Sequence, residues 1–357
     1  MKNLCGKKIL IRADSSIQIG TGHVMRMHVL ATLLKGEGAS VTFACRDFRG
    51  NLISFLKDQG YEVKVISSAN SMEFLPDDYS SWLGSDAKDD VLQSFFGSDY
   101  YDLAIIDHYG AGLEWHDAAR SYSKAIMVVD DEANCLIDCD ILLNQNHYPK
   151  TDGLYEGKVP DACVKLIGAK YALLRREFTL HRENASTRTE LKKLLIMMGG
   201  ADFDQVTLNI VSHLDIDLDV TVVVGHAYSE FNDLDDLCNG RGFSLVRGAE
   251  NIAELMGEAD FCIGAGGSTS WERCCMKLPS AIFSVAENQV GIAENLSKAG
   301  AITYLGDPKY FDFTGLNNIL RDFQSDTKKL NIMSMTAGEL VDGNGSSRVL
   351  HEITNLI

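Results

Sequence analysis

The sequence predicts an α/β protein of two Rossmann-like domains facing a cleft, on three observations. Short β-type runs alternate with helical stretches along the whole chain, and the runs are continuously apolar, as strands buried on both faces of a parallel sheet must be. This alternation restarts after a charged, Thr/Ser-containing stretch over 182–193. A strand–glycine turn–helix element occurs once in each half: Gly20-Thr21-Gly22 leads into His23 near the start, and Gly264-Ala265-Gly266-Gly267-Ser268-Thr269 follows a strand far down the chain. At 357 residues the chain also exceeds the roughly 250–300 residues at which one core stops growing. The boundary is placed near 185, giving domains over 1–185 and 186–357.

In the first half, strands are expected over 8–13, 40–44, 62–66, 103–107, 125–129 and 141–143, with Gly36, Gly38 and Gly60 where helices would end. Residues 67–100, rich in acids and serines, read as a loop plus a helix. In the second half, strands are expected over 194–198, 220–224, 243–246, 260–263, 280–283 and 302–304. From about 310 to 357 the pattern is helical, a tail of the kind that can cross back to the first domain.

Composition narrows the function. A hydrophobic content of 45% is enough for substantial cores, and the net charge of −17 argues against nucleic-acid binding, which needs a basic footprint. An anion would have to be bound locally, by loop amides and a few Arg or Lys, which favours a small phosphorylated ligand. The nine cysteines form no C-x-x-C pair and are scattered among apolar residues, as reduced thiols are. No signal-type apolar region opens the chain, and no apolar run approaches the ~18 residues of a membrane span. The expectation is a soluble, cytoplasmic protein.

Ligands of open α/β sheets bind beyond the carboxyl ends of the strands. Four polar clusters follow such ends: Asp14-Ser15-Ser16 with Gly20, Gly22 and His23; Asp107-His108-Tyr109-Gly110; Gly199-Gly200-Ala201-Asp202; and 264–269 with Glu272. Glycines let backbone approach a ligand, helix-start amides favour negative charge, and a histidine there could exchange a proton. Each feature has a plainer reading. His23 could be a satisfied surface or core residue, Gly199-Gly200 a tight turn, and Glu272 a solvated helix position. His108 and Tyr109 could be a proton-handling pair or a packed corner. Asp130-Asp131-Glu132 reads as a solvated charge run, and the Asp-rich turns at 215–219 and 233–236 lack histidines at ligand spacing, so no metal is expected. The dinucleotide fingerprint would need a third glycine at Met25; a P-loop G-K-[ST] and a G-x-S-x-G elbow are also missing.

The runs R-A-D-S-S-I-Q-I-G-T-G-H-V-M-R, I-I-D-H-Y-G, D-D-E, D-I-L-L-N-Q-N, G-A-K-Y-A-L-L-R-R-E-F, M-G-G-A-D, G-A-G-G-S-T-S-W-E and A-E-N-Q occur in order over roughly 8–305. Together they resemble the UDP-sugar hydrolases of pseudaminic acid biosynthesis, a family itself similar to the GT-B glycosyltransferases. The resemblance implies that UDP-2,4-diacetamido-2,4,6-trideoxy-β-L-altrose is cleaved by water to UDP and free sugar, with inversion and without metal or cofactor. It implies His23 as proton acceptor, Tyr109 as the active-site tyrosine, Glu272 with Gly266, Gly267 and Ser268 as the ribose and diphosphate site, and Ile252 near uracil. Asp14, Gly20, Gly22, Gly199, Gly200, Asn288 and Gln289 are further expected substrate contacts. One departure is Gln205, which stands where the family pattern G-G-x-D-x-x-N has Asn. A GT-B glycosyltransferase using a UDP-sugar donor is the first alternative and a nucleotide-sugar binding protein without turnover the second; released free sugar, sugar on an acceptor, or no change separates the three. The oligomeric state is not legible in the sequence.

Overall fold

Seven strands form one all-parallel sheet in the order β3-β2-β1-β4-β5-β6-β7. They are β1 (Lys8–Ala13), β2 (Ser40–Arg46), β3 (Glu62–Ile66), β4 (Tyr101–Asp107), β5 (Ser123–Val129), β6 (Ile141–Asn144) and β7 (Val164–Ile167). The apolar runs have the cause expected of them. Ile9 and Ile11 of β1 join Phe43, Ile105 and Met127 in a core on one face, where Val24, Met27 and Leu30 of the helix Gly22–Gly36 pack. Leu10 belongs to the core on the other face with Ala104, Ile106, Trp115 and Ile126. Arg12 breaks the apolar run yet is fully buried, because Asp14 and Asp90 both bind its guanidinium at 2.6–2.9 Å.

A second, six-stranded parallel sheet has the order β10-β9-β8-β11-β12-β13. Its strands are β8 (Lys193–Met197), β9 (Asp219–Val224), β10 (Ser244–Arg247), β11 (Phe261–Ala265), β12 (Ser280–Phe283) and β13 (Thr303–Gly306). In both sheets the strand order reverses beside the first strand, at β1/β4 and at β8/β11. Such a reversal opens a crevice at the carboxyl ends of the two strands, because their connections leave in opposite directions.

The computed structural model describes residues 4–69, 72–75, 78–97, 100–200, 202 and 204–357. The chain divides into two compact units, one of residues 1–173 with 344–357 and one of residues 174–343. The division thus falls at Leu173/Leu174, earlier than the expected position near 185, and the charged stretch where the boundary was placed is built into the second unit. Arg188 is buried there and donates to the carbonyls of Ala259 (3.0 Å), Met256 (2.8 Å), Gly257 (3.1 Å) and Met276 (3.1 Å). These are the carboxyl ends of the helices Ile252–Glu258 and Thr269–Cys275, where a cation is favoured by unpaired carbonyls and the helix dipole.

The tail forms the helices Gly315–Ser325, Thr327–Leu340 and Gly345–Leu356. The last lies in the first unit, with Val349, Leu350 and Ile353 in the core beside Ile9 and Ile11. Gly345 makes that return close, since a Cβ there would sit 2.3 Å from the Ala172 carbonyl oxygen. Strand β7 was not expected from the sequence: it is a four-residue edge strand with Val164 and Lys165 exposed, so its pattern is weak. The 67–100 stretch holds a short 3₁₀ turn, Tyr79–Leu83, and the helix Ala87–Phe95, capped by the Asp86 carboxylate on the Asp89 amide at 3.0 Å.

Candidate active site

In the first unit the loop after β1 is closed by a bridge between Ser16 and Gly20. The Gly20 amide donates to the Ser16 carbonyl at 2.9 Å, and Ser16 Oγ accepts from the amides of Gln18 and Ile19. Gly20 takes φ +80, a conformation glycine adopts without strain. Gly22 opens the next helix with clear space around its Cα, and Thr21 gives no side-chain cap, so the helix start keeps donors available to an acceptor.

His23 follows at once and is nearly buried. Its Nδ1 lies 2.6 Å from Oδ1 of Asp107, the last residue of β4 and the register partner of Ala13 in β1. A carboxylate can only accept, so Nδ1 carries the hydrogen, and in the neutral ring the lone pair is on Nε2. One helical turn on, Arg26 grips Asp107 through Nε and Nη2, both at 2.6 Å, and Asp131 through Nη1 (3.1 Å) and Nη2 (2.8 Å). Asp131 also accepts from the Tyr109 hydroxyl at 2.9 Å and from Asn146 Nδ2 at 3.2 Å. The Tyr109 ring meets the His23 ring edge-on, with centroids 4.7 Å apart.

The charges of this network are fixed by their neighbours. Burial by itself would raise the Asp107 carboxyl, but Arg26 and His23 outweigh it and hold it well below the usual carboxylate range. Asp131 follows the same pattern, burial being outweighed by Arg26. Asp107 and Asp131 are therefore ionised partners of one guanidinium, and the Asp130-Asp131 run is not solvated as expected: Asp130 is buried too, accepting from Tyr155 OH at 2.5 Å and from the Ala133 amide at 2.8 Å.

Asp14, expected on the substrate, turns inward. It is fully buried, with its carboxylate taken up by Arg12 (2.6 and 2.9 Å), the Arg46 amide (2.6 Å) and His108 Nε2 (3.2 Å). His108 accepts from the Gly110 amide through Nδ1 at 3.0 Å, and burial pushes its pKa down despite Asp14. Of the two readings of His108, the structure shows the packed corner.

In the second unit the β8/β11 reversal carries the other glycine turns. Gly199 takes φ +101, and the Gly200 carbonyl lies against Gly225, where a Cβ would come within 2.0 Å. Ala201 lies outside the described residues. Asp202 is a helix cap, its carboxylate accepting from the amides of Val206 (3.0 Å) and Thr207 (2.7 Å). Gln205 precedes that helix in the left-handed region, at φ 53. Asn enters this region more easily than Gln, because its short amide bonds locally, so the departure from the family pattern carries backbone strain. Gln205→Asn should raise stability, read as a higher denaturant midpoint at constant m.

After β11, Gly266 donates its amide to the Phe283 carbonyl at 2.8 Å, while Gly267 takes φ +94. Ser268 is exposed at the start of the helix Thr269–Cys275. Gln289 lies directly over the turn: a Cβ on Gly266 would come 3.0 Å from the Gln289 Cβ, and Gln289 Oε1 accepts from the Val285 amide at 3.0 Å. Asn288 is exposed beside it in the 3₁₀ turn Glu287–Gln289. Ile252 is the half-buried first residue of the helix after β10. Glu272 is not simply solvated. Its side chain is 18% exposed and pairs with Arg175 at 3.3 Å, and burial raises its pKa against the pull of Arg175.

The structure thus brings His23 and Tyr109 together in one unit and the 266–268 turn, Gln289 and Glu272 into another. Asp107 was expected only as a member of its strand-end cluster and Asp131 only as part of a charge run, and Arg26 and Arg175 were not singled out from the sequence. The one available signal was that Asp107 and Asp131 both follow strand ends on the edge that bears His23.

Two parallel sheets with glycine turns at their reversals are the GT-B glycosyltransferase fold. The crystal structure of Acinetobacter baumannii MurG superposes with a TM-score of 0.66 over 98% of this chain and 99% of that one, at 14% identity. In sequence, the chain is 30% identical over 295 residues to the UDP-2,4-diacetamido-2,4,6-trideoxy-β-L-altropyranose hydrolase of Campylobacter jejuni, covering 82% of this chain and 97% of that one. It belongs to that hydrolase family. The spore coat polysaccharide biosynthesis protein SpsG of Bacillus subtilis is 24% identical over 348 residues, 95% of each chain. No protein-family model matches.

Proposed function

We propose that this chain hydrolyses a UDP-linked 2,4-diacetamido-2,4,6-trideoxy sugar, the reaction in the name of its C. jejuni relative, with His23 as the base. The observation that carries this reading is the 2.6 Å contact of His23 Nδ1 with Asp107 in a chain of this family. Asp107 fixes the tautomer and steadies the imidazolium that forms; Arg26 keeps Asp107 ionised. Water is deprotonated by His23 Nε2 as its oxygen bonds to the anomeric carbon. The bond from that carbon to the diphosphate oxygen breaks, and UDP leaves with the electron pair. A positioned base contributes about 100- to 10,000-fold, and inversion at the anomeric carbon follows from a single displacement. The turn at 266–268 with Gln289, the glycines at 199–200 and Ile252 would hold UDP, and Glu272 would accept from the ribose hydroxyls. The test is incubation with a panel of UDP-sugars without acceptor. UDP and free sugar should appear together; sugar released only onto an added acceptor would make the chain a glycosyltransferase.

Glu272→Ala should weaken UDP binding by about 1.5–3 kcal/mol, the worth of a hydrogen bond to a charged group. Titration calorimetry with UDP checks this, and unchanged affinity would leave Glu272 as an ion-pair partner of Arg175 only.

Among the described residues no group of three or more His, Cys, Asp or Glu is placed to hold a metal ion. We propose that the leaving diphosphate is stabilised by amides and side chains and that turnover needs no metal. Activity should persist in excess EDTA; loss restored by magnesium would reverse this assignment. No helix among the described residues is long and apolar enough to cross a membrane. The nine cysteines are free thiols, which supports a reducing compartment such as the cytoplasm.

A further inference from the structure

Beside His23 the first unit carries an aromatic shelf that the reaction scheme above does not use. The turn Tyr79–Leu83 places Tyr79 and Trp82 against Tyr109, with ring centroids 4.9 Å and 5.8 Å away. Tyr79 and Trp82 meet each other at 4.8 Å, and Phe74 stacks on Trp82 at 5.2 Å. Tyr109 in turn touches the His23 ring. Phe74, Tyr79, Trp82 and Tyr109 are all half-buried. Two of their polar atoms are already engaged: Trp82 Nε1 donates to the Leu75 carbonyl at 3.1 Å, and the Tyr109 hydroxyl donates to Asp131. What these two rings have left to offer a ligand is aromatic carbon.

The shelf is seated by backbone. A Cβ on Gly110 would lie 2.6 Å from the Tyr79 carbonyl oxygen and 3.1 Å from the Leu83 amide nitrogen, so only glycine lets the turn rest against the loop after β4. Leu83 anchors the other end of the turn in the core with Val91 and Phe95. Tyr79 and Trp82 are thereby held at fixed positions relative to Tyr109 and His23.

Resting on the proposed hydrolysis, we infer that Trp82 and Tyr79 form the subsite for the glycosyl group and select a deoxygenated, N-acylated sugar. Aromatic faces accept C–H surface such as a C6 methyl or an acetamido methyl. A hydroxyl set against them loses its water partners and gains none. A sugar with a hydroxyl at C6 is disfavoured for that reason, and removal of a ring lowers the affinity for the deoxy sugar without touching UDP.

The experiment measures kcat and KM for wild type, Trp82→Ala, Trp82→Phe and Tyr79→Leu. The substrates are the UDP-linked 2,4-diacetamido-2,4,6-trideoxy sugar and UDP-N-acetylglucosamine, which keeps its C6 hydroxyl, and UDP affinity is followed in parallel. Trp82→Ala should lower kcat/KM for the deoxy sugar by about 10- to 100-fold, mainly through KM, and narrow its preference over UDP-N-acetylglucosamine. Trp82→Phe should restore most of it, and UDP affinity should stay constant. Tyr79→Leu supplies the same readout should Trp82→Ala fail to fold. Unchanged preference in folded variants, or equal losses for both sugars, would overturn the subsite while leaving the hydrolase reading intact. Failure of the wild type to release UDP from the deoxy sugar would overturn both.

Discussion

His23→Asn is expected to leave the fold and UDP binding intact while lowering kcat at least about 100-fold. The asparagine side-chain N–H can still donate to Asp107, replacing the contact that Nδ1 makes at 2.6 Å, so the buried carboxylate stays satisfied. What is lost is the lone pair on the far side of the ring. Calorimetry with UDP and a thermal melt would separate a chemical loss from a structural one. An acid limb in the wild-type kcat profile that disappears in the variant would mark His23 as the titrating base. Near-normal turnover would instead move the search to Tyr109.

Asp107→Asn should act through the same histidine and also through the fold. An amide can donate to Nδ1, which then no longer needs a hydrogen, and the imidazole settles with its hydrogen on Nε2 and no base to offer. In triads of this logic the wrong tautomer costs up to about 10,000-fold in kcat. The substitution also leaves Arg26, buried and bidentate on Asp107, with Asp131 as its remaining carboxylate, and breaking a buried pair costs about 3 kcal/mol or more. The pH dependence has a definite sign. The folded pKa of Asp107 lies below its unfolded value, so its contribution is complete above about pH 4 and disappears as the pH falls through the lower folded value. Melting temperatures of wild type and variant should therefore differ most at neutral pH and converge in acid; a constant gap would mean that the lost contacts are not ionic.

Much of the fold was legible because its causes are local. Strands buried on both faces must be apolar throughout, as Ile9-Leu10-Ile11 are, and the sharp turns after β8 and β11 require glycine at Gly199 and Gly267. The place of His23 at a helix start was legible for the same reason, since it stands directly behind its loop. Its partner was not, because Asp107 lies 84 positions away and only the β1/β4 pairing brings it near. The charged residues that misled share one physical trait, which is burial with their hydrogen bonds satisfied. Arg188 and Asp130 have the look of solvated surface in the sequence, and Asp14 the look of a ligand contact, because the groups that receive them are set by the fold. The aromatic turn at 79–83 was hidden differently, in five residues whose meaning depends on a glycine beyond the next strand.

The return of residues 344–357 into the first unit has a consequence for how the protein is made. The second unit is one uninterrupted segment, 174–343, and its residues are all present before the last helix is synthesised. The unit bearing His23 is assembled from segments on both sides of it, because Val349, Leu350 and Ile353 belong to the same core as Ile9 and Ile11. Its core therefore cannot be completed until the whole of the second unit has been translated. Until residues 344–357 are made, the apolar surface that Val349, Leu350 and Ile353 cover in the first unit stays open to solvent.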